Sequence, residues 1–172
     1  MVSWRKCWQI TVLLLMLVTG CTSSAKFDTV YTRISPAHLQ PGQAIPTPQT
    51  ATILTVTGKI GAPNAANQIV MDLETTEAVG QVEYTITDPF ENRKIVYRGV
   101  LMRDLLDLWK VDQTATTLHI VALNDYNIDL PIAELREYPV LLAFQADGQY
   151  MQPDYHGPSM VIYPLDAYQL DP

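Results

Sequence analysis

From Ala51 the chain alternates with a period of two: Leu54, Val56, Gly58 and Ile60 fall on one side and Ile53, Thr55, Thr57 and Lys59 on the other, which predicts a strand. Gly61-Ala62-Pro63-Asn64 reads as a turn, and a second alternation through Ile69, Met71 and Leu73 runs into a short acidic, helical piece around Glu74 to Val79. Val82, Tyr84 and Ile86 then alternate with Glu83, Thr85 and Thr87 in a strand that stops at Asp88-Pro89, where the residue before proline stays extended and the proline has no N–H to continue the ladder. Ile95-Val96-Tyr97 reads as its hairpin partner across the polar Glu91-Asn92-Arg93 loop. Between Leu101 and Trp109 the period lengthens: Leu101, Leu105 and Leu108 form one stripe and Met102, Leu106 and Trp109 another, which predicts a helix packed on a sheet.

Leu118 to Leu123 is nearly apolar on both faces and reads as a central strand, ended by an Asn124-Asp125-Tyr126-Asn127 turn. A small helix near Ile132 to Tyr138 leads into the apolar strand Val140 to Phe144, closed by Asp147-Gly148, and a last strand covers Met160 to Tyr163. Strands outnumber helices and no strand–long-helix repeat appears, so the class is α+β with mixed β-sheets and a few short helices.

The first 50 residues follow another pattern. Arg5 and Lys6 precede an apolar run from Ile10 to Val18 that is too short for a permanent membrane span, so residues 1–20 read as an export signal. Val18-Thr19-Gly20-Cys21 resembles a bacterial lipobox, which makes Cys21 the residue cleaved before and lipidated, and predicts an exported domain held to a bacterial membrane by its lipid. Residues 21–50 are rich in Ser, Thr, Gln and Pro, with Pro36, Pro41, Pro46 and Pro48 interrupting any helix, and read as an extended tether ahead of a domain over 51–172. A first strand around Lys26 to Ile34 is the competing reading, since Phe27, Val30, Tyr31 and Ile34 are apolar.

Composition narrows the function classes. With 172 residues, 48% apolar and 17% charged, the chain matches one globular domain, and a net charge of −7 gives no steering toward nucleic acid. Loss of residues 1–20 leaves nine basic residues against 18 acidic ones. The two cysteines, Cys7 and Cys21, precede the predicted domain, which therefore has no disulfide, no cysteine-bound metal and no cysteine nucleophile. His38, His119 and His156 show no metal-ligand spacing, and neither a Gly-x-Ser-x-Gly elbow nor a phosphate-binding glycine loop occurs.

The order of pieces carries a resemblance. Thr57-Gly58, then Tyr97-Arg98-Gly99-Val100-Leu101 running into Leu105-Leu106, then Asn124-Asp125-Tyr126, Leu141-Leu142-Ala143-Phe144 with Asp147-Gly148, and Gly157-Pro158-Ser159-Met160 closing at Pro164, resemble in sequence order the molybdopterin-binding domain of the sulfite-oxidase family. The resemblance covers about Ile53 to Pro164 and implies that fold. It also implies a cysteine thiolate for molybdenum on the segment before Tyr97, where Val82 to Asp88 has none, and an arginine for the terminal phosphate where Met160 stands. These departures predict that the molybdenum cofactor and its redox chemistry are absent, and that the ligand is an unphosphorylated pterin or a related heterocycle. Cysteine-lacking relatives act as exported pterin-binding proteins that signal to a membrane partner, notably enzymes controlling cyclic di-GMP, and the resemblance implies that role here.

On that reading Asp125 and Tyr126 are ligand groups, the carboxylate for an amino-pyrimidine edge and the ring for a flat face; an Asx-turn with a half-buried tyrosine explains them equally well. Asp88 reads either as a second such carboxylate or as a turn initiator. His156, with Tyr155 and Tyr150 beside it, occupies a loop of the kind that carries binding groups, against ordinary surface packing. Arg98 reads as a polar pocket group or a strand-surface cation, and Trp109 as core. Two other function classes stay open: a molybdopterin-dependent oxidoreductase with an atypical metal ligand, and a structural scaffold lipoprotein.

Overall fold

The computed structural model describes residues 26–154, 156–168 and 170. The signal segment 1–20, Cys21 and Tyr155 lie outside the described residues. In chain order the elements are β1 (Thr32–Arg33), β2 (Thr52–Val56), β3 (Ile69–Asp72), α1 (Leu73–Glu77), β4 (Gln81–Asp88), β5 (Arg93–Leu101), α2 (Met102–Leu108), β6 (Thr117–Val121), β7 (Asn127–Pro131), α3 (Ile132–Glu137), β8 (Leu141–Ala146), β9 (Gln149–Tyr150), β10 (Met160–Ile162) and α4 (Leu165–Tyr168). The main sheet has the order β1-β4-β5-β8-β10, with β9 added to β8, while β2-β3 and β6-β7 form separate two-stranded sheets. Every pairing among the described strands is antiparallel, and the short helices α1 to α4 pack with them in an α+β fold.

Alternation along the main sheet sorts side chains onto two cores. Val82, Tyr84 and Ile86 of β4, Ile95, Tyr97 and Leu101 of β5, Leu141 and Ala143 of β8 and Ile162 of β10 bury one face. Val100, Leu142 and Phe144 face the other way, onto α2, α3 and the β2–β3 pair. The sheet curls around its first core: the Tyr84 hydroxyl on β4 donates to the Ile162 carbonyl on β10 at 2.8 Å, although β5 and β8 stand between them in strand order. Thr87 reinforces this closure, its amide and hydroxyl donating to the Asp166 carboxylate of α4.

The helix read between Leu101 and Trp109 forms as α2, with Met102, Leu105, Leu106 and Leu108 buried. Its entry is set by Gly99. A bulge between Arg98 and Gly99 brings β5 so close to β8 that a side-chain carbon at Gly99 would run into the Leu142 carbonyl and the Ala143 Cα.

Two expectations need correction. Residues 26–50 are not an extended tether: Phe27 is 2% exposed and joins the first core, Leu39 and Ile45 join the second, and β1 pairs with β4. Proline blocks helix there but not burial, and the segment is pinned by its backbone. Ile34 donates to the Gln81 carbonyl, His38 and Leu39 donate to Ala78, and the amides of Gln49 and Thr50 donate to Asp72. The competing reading of a strand within Lys26 to Ile34 holds in shortened form as β1. Nor is Leu118 to Leu123 a central strand. β6 pairs only with β7; Leu118 and Ile120 lean on the second core, whereas Val121 and Leu123 are 62% and 80% exposed.

Candidate functional site

Three turns meet at one end of the main sheet: the β4–β5 connection, the β8–β9 connection and the loop from Met151 to Pro158. Asp88 closes the first. Its Oδ1 accepts the amides of Phe90 and Glu91, each at 2.9 Å, and its Oδ2 accepts the Tyr97 hydroxyl at 2.8 Å. Burial raises the carboxyl's pKa, but those amides, the tyrosine and the attraction of His156 outweigh it, so Asp88 titrates below the ordinary carboxylate range. The same buried contact raises the Tyr97 hydroxyl well above its ordinary value, through desolvation first and the hydrogen bond to Asp88 second. Asp88 is thus an ionised acceptor and Tyr97 a neutral donor, with His156 near enough to act on the carboxylate electrostatically.

Beside this cluster lies an open cleft of about 320 Å³, lined among others by Arg93, Asp147, Tyr150, Met151, Gln152 and Asp154. Arg93 is held from two sides, by Glu91 and Asp147 at 2.6 Å each, and Asp147 also accepts the Val96 amide. Tyr150 lies over Phe144 with ring centroids 6.5 Å apart and donates its hydroxyl to Glu77 at 2.8 Å. The cleft therefore offers a fixed cation, carboxylates, side-chain amides and an aromatic ring, which suits a flat polar heterocycle better than an apolar one. A second cleft of about 640 Å³ opens between α2 and α3, over Leu106, Val111 and Ile132, with Lys110 and the Arg136–Asp107 pair on its rim.

The residues singled out from the sequence divide. Asp88 and His156 come together at the sheet end, and Tyr150 lines the adjoining cleft. Asp125 and Tyr126 sit elsewhere, on the exposed tip of the β6–β7 hairpin; Tyr126 is 63% exposed and neither residue lines either of these two clefts. The Asx-turn at this tip is made by Asn124, whose side chain accepts the Tyr126 amide. Arg98 makes a cross-strand fork with Glu83, Nη2 to Oε2 at 2.7 Å and Nε at 3.0 Å, and lines neither cleft. Trp109 is core, its indole N–H directed at the Met71 sulfur. Sequence reasoning gave no site role to Tyr97, Arg93 or Asp147, although Tyr97 and Asp147 stand in the family motifs; the signal for Asp147 was its place before Gly148, where a carboxylate reaches back to backbone amides.

The oxidoreductase molybdopterin-binding domain family matches residues 67–166, well over half of the chain. The chain belongs to this family. The match spans β4, β5, β8, β10 and the loops that meet at the sheet end. No curated protein matches the chain closely.

Family membership brings molybdopterin as the expected ligand class, so the donors at the site bear on the fit. Residues 67–166 contain no cysteine, and no group of three or more His, Cys, Asp or Glu is gathered for a metal among the described residues. Along the end of β4 three oxygen groups are committed: Tyr84 to Ile162, Thr87 to Asp166, Asp88 to its own turn and Tyr97. Met160 packs against the first core and offers no charge to a phosphate. This donor set does not fit molybdenum, whose thiolate ligands are soft.

Proposed function

We propose that this protein is an exported, lipid-anchored binding module that takes an unphosphorylated pterin or a related heterocycle, performs no metal redox chemistry, and passes its occupancy to a transmembrane partner of the cyclic di-GMP type. One observation carries the reading: where family enzymes need a free thiolate, this chain has Asp88, with both oxygens engaged in holding the β4–β5 turn. Such a carboxylate is a structural acceptor, and as a hard oxygen donor it does not replace a soft thiolate. The cleft beside it keeps the groups that a pterin edge and face would use, Arg93, Asp147, Gln152 and Tyr150. Met160 in place of an arginine favours a ligand without a terminal phosphate.

The test is metal analysis together with extraction and fluorescence of small molecules from the full chain, produced in an export-competent host and purified from membranes. The expected result is a pterin-like fluorophore without molybdenum, released at lower ligand concentration from a Tyr150→Ala variant. Stoichiometric molybdenum would establish an oxidoreductase with an atypical ligand and overturn the reading. A chain that binds neither would be a scaffold.

A further inference from the structure

The docking of residues 26–50 changes what a lipid at Cys21 does. A thirty-residue tether would let the domain sample the space above a membrane, but the chain is already folded at Lys26. Phe27 is buried in the first core, the Arg103 guanidinium lies 3.8 Å from its ring centroid, and the Lys26 ammonium lies 4.3 Å from that of Tyr168. Only residues 22–25 separate Cys21 from Lys26, and five backbone steps reach at most about 18 Å when fully extended.

We propose that the lipidated protein lies on the bilayer itself, with the face built by Lys26, Arg33 and Arg103 held toward the headgroups by this short leash and the β2–β3 hairpin turned away. The inference rests on the lipid-anchor reading above. The charge pattern agrees with it. Lys26, Arg33 and Arg103 make up three of the nine basic residues that follow Cys21, and they gather around Phe27, Tyr31 and Tyr168. The acids that act on this face are Asp28, which accepts the Tyr31 hydroxyl, Asp104, whose carboxyl burial pushes above its ordinary range, and Asp107 and Glu137, which act electrostatically on Asp104 and Tyr168. The rest of the molecule holds six basic residues against 14 acidic ones, so anionic headgroups repel this face least. The β2–β3 turn lies across the main sheet, on the side of the second core, which places it on the far side from Phe27. A partner would then be met at the membrane surface.

The acylated Cys21 leaves the mature chain without a free thiol, so single cysteines report position without interference. Thr29→Cys on the near face and Asn67→Cys in the β2–β3 turn, both at exposed positions, are labelled with a fluorophore. The full lipidated chain is then reconstituted into phosphatidylethanolamine–phosphatidylglycerol vesicles bearing a headgroup quencher, at about 0.5 M salt so that charge effects are screened. Several-fold stronger quenching at position 29 than at 67 is expected, with the difference lost when a flexible thirty-residue Gly/Ser spacer is inserted between Ser24 and Ala25. Equal quenching at the two positions, or a difference that survives the spacer, overturns the proposal while leaving the anchor intact. A chain that stays in the aqueous fraction overturns the anchor reading and this inference together.

Discussion

Two aspartates show how much single residues contribute. Asp72 is 2% exposed and caps α1 through Thr75, while its other oxygen accepts the amides of Gln49 and Thr50 and the Thr50 hydroxyl. One carboxylate thus starts a helix and pins the incoming segment. Asp72→Asn puts an amide nitrogen where only donors point, and is expected to cost roughly 2–4 kcal/mol in urea denaturation, a cap together with charged hydrogen bonds. The hydrogen bond from Thr75 leads the causes that hold this carboxyl far below its ordinary value, against the opposing pull of burial. A depressed folded-state pKa stabilises above the unfolded value, near 4, and that contribution is lost as pH falls through the folded one. Melting curves should therefore show the wild type losing stability below about pH 4 while Asp72→Asn loses less. At Asp88 the Tyr97 hydroxyl is one of three donors, so Tyr97→Phe should cost about 1–2 kcal/mol and Asp88→Ala more, because it strands two amides as well as the hydroxyl. Thermal denaturation of the two variants checks the order.

At the scale of elements, patterning was most legible where one face is buried and the other wet. β4 reads that way, with its even-numbered residues Val82, Tyr84, Ile86 and Asp88 inside, and its alternation located it to within a residue. The two stripes of α2 were equally clear because Leu101, Leu105 and Leu108 and the neighbouring Met102, Leu106 and Trp109 are all buried. The β6–β7 hairpin misled because an apolar run is also compatible with exposure, and nothing local records that β6 has one neighbour instead of two. The glycine of Tyr97-Arg98-Gly99-Val100 was visible as a motif, while its reason, contact with the Leu142 backbone, lies on a strand more than forty residues away. Gly99→Ala is expected to break the β5–β8 pairing and give little soluble protein, measured by expression and circular dichroism, whereas Gly42→Ala, with open space around it, should keep the fold at a modest cost from its positive φ.

The whole molecule depends on its first described residues. Phe27 fills the core that the curled sheet encloses, so Phe27→Ala should cost about 3–5 kcal/mol and lower the urea midpoint with little change in slope. A chain beginning at Ala51, the boundary suggested by composition, would expose the β4 edge left by Thr32 and Arg33 and uncover Val79 and Val82; it is expected to aggregate where a chain beginning at Thr22 stays soluble. Size-exclusion chromatography of the two chains decides this.

Alternation, helical stripes and turn residues, which depend on neighbours along the chain, were enough to set the α+β class and to find β2 to β5, α2, α3, β8 and β10, but not β7, β9 or α4. The resemblance to the family, read on its motifs, brought Asp88, His156 and Tyr150 among the candidate site residues. Three things were decided only by folding, because each depends on pairs distant in sequence. The Pro-rich segment became core when Phe27, Leu39 and Ile45 found apolar partners; Asp88 was committed to Tyr97 by the packing of β4 on β5; and Asp125 with Tyr126 went to an exposed tip because β6 pairs with β7 alone. Burial is a property of the assembled surface, and local pattern carries only half of it.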